Sequence, residues 1–203
     1  MPATPRARSA GTLAAEKVAL RAAARRRRAA IPAAAAARAA AAVAAILRDR
    51  VPIPAAAAVA GYWPLGDEFD PRPAMTALEG RGHRLALPVV AGPGLPLVFR
   101  AWQRGDPLEA SAFGTSVPLG DAPEIAPGAV LAPALAVDDR GYRLGYGGGY
   151  YDRTLARLRA GAGARPLAIA VCFARQMVDA VPHGDGDQPV DWVVTEDGAM
   201  RIS

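Results

Sequence analysis

Residues 129–155 read AVLAPALAVDDRGYRLGYGGGYYDRTL. The first nine, AVLAPALAV, are continuously apolar and predict a buried strand. From about residue 150 to 160, Tyr151, Leu155 and Leu158 recur at helical spacing, which predicts a helix with one buried face. Between the two, Gly145, Gly147, Gly148 and Gly149 crowd into five positions. The reading is therefore strand, loosened turn, helix.

Working outward, the same alternation continues. AAVAGYW (57–63), HRLALPVV (83–90), PLVFRAW (96–102), PLAIAVCF (166–173) and VDWVVT (190–195) predict strands. Helices are predicted over 13–30 and 33–50, separated by Pro32, and over 72–80 with Pro73 in the first turn. LGDEFDPRP is a loop, and a longer loop runs to about 127. The pattern predicts an α/β fold: a single-domain layered sandwich with a largely parallel central sheet flanked by helices, and an N-terminal helical arm. A length of 203 residues suits one domain spanning 15–203. Residues 1–14 are expected to form a flexible tail, because MPATPRARSAGT has no apolar pattern.

Composition narrows the function classes. The chain is 52% apolar, enough for a core, although much of that is alanine. No apolar run approaches the roughly 20 residues needed to span a bilayer. No secretory h-region precedes a cleavage site, whereas an Arg-rich transit peptide stays open. Cys172 is the single cysteine and has no partner for an internal disulfide. A cytoplasmic location is expected. The net charge is +5, and of 24 basic residues only Lys17 is lysine. The run Arg25–Arg28 and a pI near 10.0 are the footprint of a nucleic-acid-binding protein. However, the charges sit on one helix without interleaved aromatics, so no specific nucleic acid is expected.

A glycine-rich turn opening a helix can cradle phosphate. Its backbone approaches closely, and the helix start points unpaired N–H groups at the ligand. The P-loop pattern fails, because Tyr-Tyr-Asp follows Gly149, and G-x-G-x-x-G fails at Tyr150. The glycines alone serve equally as a surface loop before an amphipathic helix. A carboxylate beside bound phosphate needs a cation, so Asp152 points to Mg²⁺. It would also suit an ordinary first helical turn.

The run AVDDRGYRLGYGGGYYDR (136–153) resembles the signature of the 5-formyltetrahydrofolate cyclo-ligase family, with Val137 where that pattern has Phe. Lys17-Val-Ala-Leu-Arg21 resembles its N-terminal K-x-x-L-R. Tyr62 to Pro73, with Glu68 and Asp70, resembles its E-x-D segment, and VDWVVTEDG resembles its C-terminal strand. The order is the family's. The resemblance implies ATP- and Mg²⁺-dependent cyclisation of 5-formyltetrahydrofolate, with or without a polyglutamate tail, to 5,10-methenyltetrahydrofolate. Monomeric assembly is expected.

By the same resemblance Lys17, Arg21, Arg143 and Tyr151 are catalytic. Lys17, Arg21, Arg143, Leu144, Gly145, Tyr146, Gly147, Gly148, Gly149, Tyr150 and Tyr151 bind ATP. Trp63, Glu68, Tyr150 and Tyr151 bind the folate, and Asp152 and Asp187 hold the metal. Glu68 would accept two N–H groups from a 2-amino-pyrimidinone edge, and Tyr62 and Trp63 would wall the ring. The sequence departs from the family at PHGDGDQPVD, where Asp185 and Gly186 replace a glutamate and a histidine or aromatic. His183 and His83 are read as ordinary histidines, and Trp102 as structural. A catalytically inert folate- or nucleotide-binding relative and a basic nucleic-acid-binding protein are the alternatives.

Overall fold

The computed structural model describes residues 10–111, 114–161 and 163–203. Helix α1 (Ala10–Ala29) leads through Pro32 into α2 (Ala33–Arg50), and the two axes are bent by 101°. Proline at the start of α2 cannot donate a backbone hydrogen bond, so the first helix ends there. Because α1 begins at Ala10, residues 10–14 of the expected tail are helical, and residues 1–9 lie outside the described residues. No single described helix is long and apolar enough to cross a membrane.

The main sheet has seven strands: β1 (Val59–Ala60), β2 (Leu85–Val90), β3 (Leu97–Trp102), β6 (Ala129–Ala132), β9 (Leu167–Val171), β10 (Trp192–Thr195) and β11 (Gly198–Arg201). Their order is β11-β10-β9-β6-β1-β2-β3. The five inner strands run parallel, and β3 and β11 join antiparallel at the two edges. The sheet is thus largely parallel, as expected.

Side chains alternate across the pleat. Val59, Leu131, Ile169 and Val171 face one layer with Val43 and Leu47 of α2 and Met75 and Leu78 of α3 (Arg72–Glu79). Ala60, Ala86, Val130, Ala168 and Ala170 face the other, where α4 (Tyr150–Ala160) contributes the fully buried Leu155. A third cluster seats Leu20 and Ala24 of α1 on Leu135, Ala136, Leu144 and Val181.

The apolar run 129–137 is two strands rather than one. Pro133 has no N–H for the ladder, so β6 stops at Ala132. The chain then turns into β7 (Ala136–Val137), which pairs antiparallel with β8 (Arg143–Leu144). The long loop after β3 also holds a hairpin, β4 (Leu108–Ala110) with β5 (Ser116–Pro118).

Helix α4 is fastened to the edge strand β3. The Thr154 hydroxyl accepts the Leu97 N–H at 2.8 Å and donates to the Tyr150 carbonyl at 2.6 Å, while Arg157 Nη2 donates to the Leu97 carbonyl at 2.7 Å. Further along β3, Ile125 N donates to Phe99 O and Ala101 N to Pro123 O. Thr154 is fully buried. Replacing it with the isosteric valine would leave the Leu97 N–H without its partner. Thr154→Val is expected to lower unfolding free energy by about 1–3 kcal/mol, measurable by urea denaturation, without change in the denaturant slope.

Candidate active site

The parallel strands end along one edge of the sheet, and the segments that follow them enclose a cavity of about 530 Å³. This is where ligands bind in open α/β sheets. Tyr62, Trp63, Leu65 and Glu68 follow β1, and Pro133, Ala134 and Leu135 follow β6. Arg143 to Asp152 supply the opposite wall, Lys17 and Arg21 reach in from α1, and Asp187 closes the rim. All the residues singled out in the sequence for catalysis, nucleotide, folate and metal therefore line one cavity.

The glycine loop is shaped by backbone sterics. Gly147 and Gly149 have φ of 110° and 66°, a region that side chains with a Cβ rarely adopt. Gly149 is the residue from which α4 starts, so the first helical N–H groups open toward the loop. Arg153 Nη2 donates to the Gly148 carbonyl at 2.7 Å, and Arg21 Nε donates to the Gly145 carbonyl at 2.9 Å.

Two ion pairs line the cavity beside the loop. Arg143, at its start, places Nη1 2.9 Å from Asp152 Oδ1, just past its end. Burial pulls the Arg143 guanidinium below its ordinary pKa, opposed chiefly by the charge of Asp152. Arg143 Nε and Nη2 are buried without a partner among the described residues. Such donors carry a desolvation cost that a ligand oxygen would offset. Lys17 Nζ lies 2.6 Å from Asp187 Oδ2, which also accepts the Gly184 N–H at 2.7 Å. Gln188 N donates to Asp152 Oδ1, so the two carboxylate-bearing segments touch. Despite the altered residues at 185 and 186, Asp187 is delivered to the cavity.

On the far side, Glu68 Oε2 accepts the Leu65 N–H at 2.8 Å. Burial pushes the Glu68 carboxyl above its ordinary value, against the Leu65 N–H, the Tyr146 hydroxyl and the Arg28 charge. Tyr146 is raised to about 12, mainly by burial, and Tyr151 is also pushed well up by burial, so both phenols stay protonated at neutral pH. Trp63 meets buried Trp102 edge-on at 5.9 Å, and Arg72 lies 4.9 Å over its ring. Trp102 is structural, as expected. Tyr62 lines the cavity, but it is a core residue whose hydroxyl donates to Phe69 O at 2.9 Å.

Some contributors had no signal in the sequence. Gln176 is buried, with Nε2 donating to the Ala134 carbonyl at 2.5 Å and Oε1 accepting the Phe173 N–H. It fixes the segment after Pro133 that lines the cavity. Asp138 is fully buried and accepts the N–H groups of Arg140, Tyr142 and Val181, closing the turn between β7 and β8. His183, read as an ordinary loop residue, stacks on Tyr142 with centroids 3.5 Å apart. His83 is buried, with Nδ1 3.0 Å from Ala57 O.

Residues 13–196 match the model of the 5-formyltetrahydrofolate cyclo-ligase family. The chain belongs to this family. The 5-formyltetrahydrofolate cyclo-ligase of Mycolicibacterium smegmatis is 35% identical over 150 residues, covering 68% of this chain and 72% of that protein. The cyclo-ligase of Escherichia coli is 29% identical over 152 residues, covering 71% and 80%. Among solved structures, the 5,10-methenyltetrahydrofolate synthetase of Aquifex aeolicus superposes with a TM-score of 0.76 at 28% identity over 92% of each chain. Lys17, Arg21, Glu68 and the run from Arg143 to Asp152, among the residues that carried the resemblance in the sequence, line this cavity.

The raised pKa of Glu68 has a stability consequence with a definite sign. The native state holds this proton more tightly than the unfolded chain. Stability is therefore lost as pH rises from the ordinary value of 4.5 through the raised native value. Glu68→Gln removes that loss. The variant is expected to melt above wild type at pH 7 without ligands, and level with it below pH 4.5, as read by paired thermal unfolding curves.

Proposed function

We propose that this chain closes the N5-formyl group of 5-formyltetrahydrofolate onto N10, using ATP, to give 5,10-methenyltetrahydrofolate, ADP and phosphate. The observation that carries the reading is the two-sided cavity. The glycine loop, Lys17 and Arg21 stand on one side, and Glu68 and Trp63 stand on the other.

Residue roles follow from chemistry. The start of α4 and loop 145–149 offer backbone N–H groups to phosphate oxygens. Lys17 and Arg21, four apart on α1, add positive charge at the cavity. Lys17 is held by Asp187 in the free protein, so ligand phosphate competes with that carboxylate for Nζ. Arg143 presents its unpaired donors beside the loop, where charge develops during phosphoryl transfer. Glu68 accepts the N–H pair of the pterin edge, Trp63 flanks the ring, and Tyr150 and Tyr151 stand between nucleotide and folate.

The formyl oxygen attacks the γ-phosphorus and ADP departs. N10 then attacks the activated formyl carbon and loses its proton, and phosphate leaves with the former formyl oxygen. The protein's contribution is alignment and charge neutralisation.

Asp152 and Asp187 supply hard carboxylate oxygens beside the phosphate loop, a donor set that suits Mg²⁺ with phosphate and water completing its shell. When bound, the metal would neutralise charge on the β- and γ-phosphates. The described residues contain no cluster of three or more His, Cys, Asp or Glu side chains, and Mg²⁺ with a nucleotide needs only one or two carboxylates. A monomer acting in the cytoplasm, on folates with or without a polyglutamate tail, completes the proposal. Cys172 suits that compartment, being a buried thiol raised to about 12 by burial.

The test is formation of the methenyl chromophore in the near ultraviolet from 5-formyltetrahydrofolate, ATP and Mg²⁺, repeated without ATP and with EDTA. Product that needs both is expected. Lys17→Ala and Asp187→Asn alter partly exposed side chains. Each is expected to cut kcat/KM by about 100-fold or more with melting temperature little changed. ATP binding without product from a folded protein would instead assign a binding role.

A further inference from the structure

The four consecutive arginines 25–28 do not act as one basic face. Arg25, Arg26 and Arg27 are exposed, whereas Arg28 is 5% exposed. Arg28 Nη2 donates to Asp67 Oδ1 at 2.6 Å and to the Tyr146 hydroxyl at 2.8 Å. The Tyr146 hydroxyl and the Arg28 charge both act on the Glu68 carboxyl, opposing the rise that burial causes. Arg28 and Arg25 both stand over the Tyr146 ring, at 5.7 and 5.6 Å. One guanidinium therefore joins the last turn of α1, the Asp67–Glu68 loop and the centre of the glycine loop.

We infer that Arg28 is a positioning residue for the folate: it clamps Asp67 and Tyr146 so that the neighbouring Glu68 carboxylate faces the cavity in the orientation that receives the pterin edge. The inference rests on the assignment of Glu68 to the pterin made above. A buried guanidinium is costly without partners, and here the partners flank Glu68 on both sides. Asp67 precedes it in the chain, and Tyr146 lines the same cavity as Glu68. Two hydrogen atoms on one Nη reach two acceptors in a fixed plane, which a lysine ammonium reproduces only as a point charge. Among the described residues, the hydrogen bond that Glu68 accepts comes from the Leu65 backbone, which leaves its free end to be aimed by the residues around it. A merely solvated basic face would show none of this geometry.

The experiment is steady-state methenyl formation by the full chain, with each substrate varied in turn. Arg28→Met is expected to raise KM for 5-formyltetrahydrofolate about tenfold or more. KM for ATP and kcat should stay within about threefold, and Arg28→Lys should recover part of the loss. Asp67 is 47% exposed on its side chain, and Asp67→Asn keeps an acceptor oxygen in place, so it tests the same clamp by a milder change. It is expected to shift the folate KM in the same direction by a smaller factor. If Arg28→Met does not fold, Asp67→Asn alone decides. Equal rises in both KM values, or loss of thermal stability with unchanged folate KM, would overturn the inference. Glu68→Gln run alongside separates the two levels. A raised folate KM in Glu68→Gln with none in the Arg28 and Asp67 variants refutes the clamp alone. An unchanged folate KM in Glu68→Gln refutes the pterin role and the clamp with it.

Discussion

The ion pair between Arg143 and Asp152 holds the site together. Its two residues bracket the glycine loop, one just before Gly145 and the other in the first turn of α4, and they meet at 2.9 Å. A segment with positive φ at Gly147 and Gly149 has little stiffness of its own. The pair closes the base of that loop, so its flexibility is confined to an arch of fixed span. Because Arg143 is buried, the pair is also hard to exchange. Removing one partner of such a pair strands the other charge, typically at a cost of about 3–5 kcal/mol. The remaining parts of the site are built against this base, with Gln188 bonded to the same Asp152 oxygen and Arg21 to the Gly145 carbonyl.

Opposite charges are paired in the cavity and next to it. Lys17 meets Asp187, Arg143 meets Asp152, and Arg28 meets Asp67 beside Glu68. Positive charge gathered at one cavity would destabilise an empty site through self-repulsion. Carboxylates that neutralise it in the free state lower that cost. They also make binding an exchange of partners rather than a simple addition, so affinity is traded for a stable resting state.

Much of this was legible from residue order, for identifiable reasons. The run from Ala129 to Leu155 announced strand, turn and helix because burial leaves a periodic trace. Lys17 stood out as a lysine in a chain that otherwise uses arginine, and it does point into the cavity. What escaped was whatever depends on distant partners. The strand expected over 129–137 breaks at Pro133, and the new pairing of Ala136–Val137 comes from β8. The hairpin of β4 and β5 is short and half-exposed, so it leaves no strong alternation. Gln176 and Asp138 look like ordinary polar residues until their backbone partners, some of them about 40 residues away, are known. Arg28 was masked by its neighbours, since a run of like charges reads as solvent-facing and only the packing of α1 shows which member is enclosed.

The fastening of α4 to β3 reaches beyond the cavity. An open sheet presents unpaired peptide groups at each edge, and these can recruit strands from other chains. At β3 the Leu97 N–H and carbonyl, the Phe99 carbonyl and the Ala101 N–H are already occupied, by Thr154, Arg157 and the 123–125 segment. The opposite edge, β11, is four residues long and ends in an exposed arginine. The side chains that hold the start of α4 beside the cavity therefore also shield the sheet from templated aggregation.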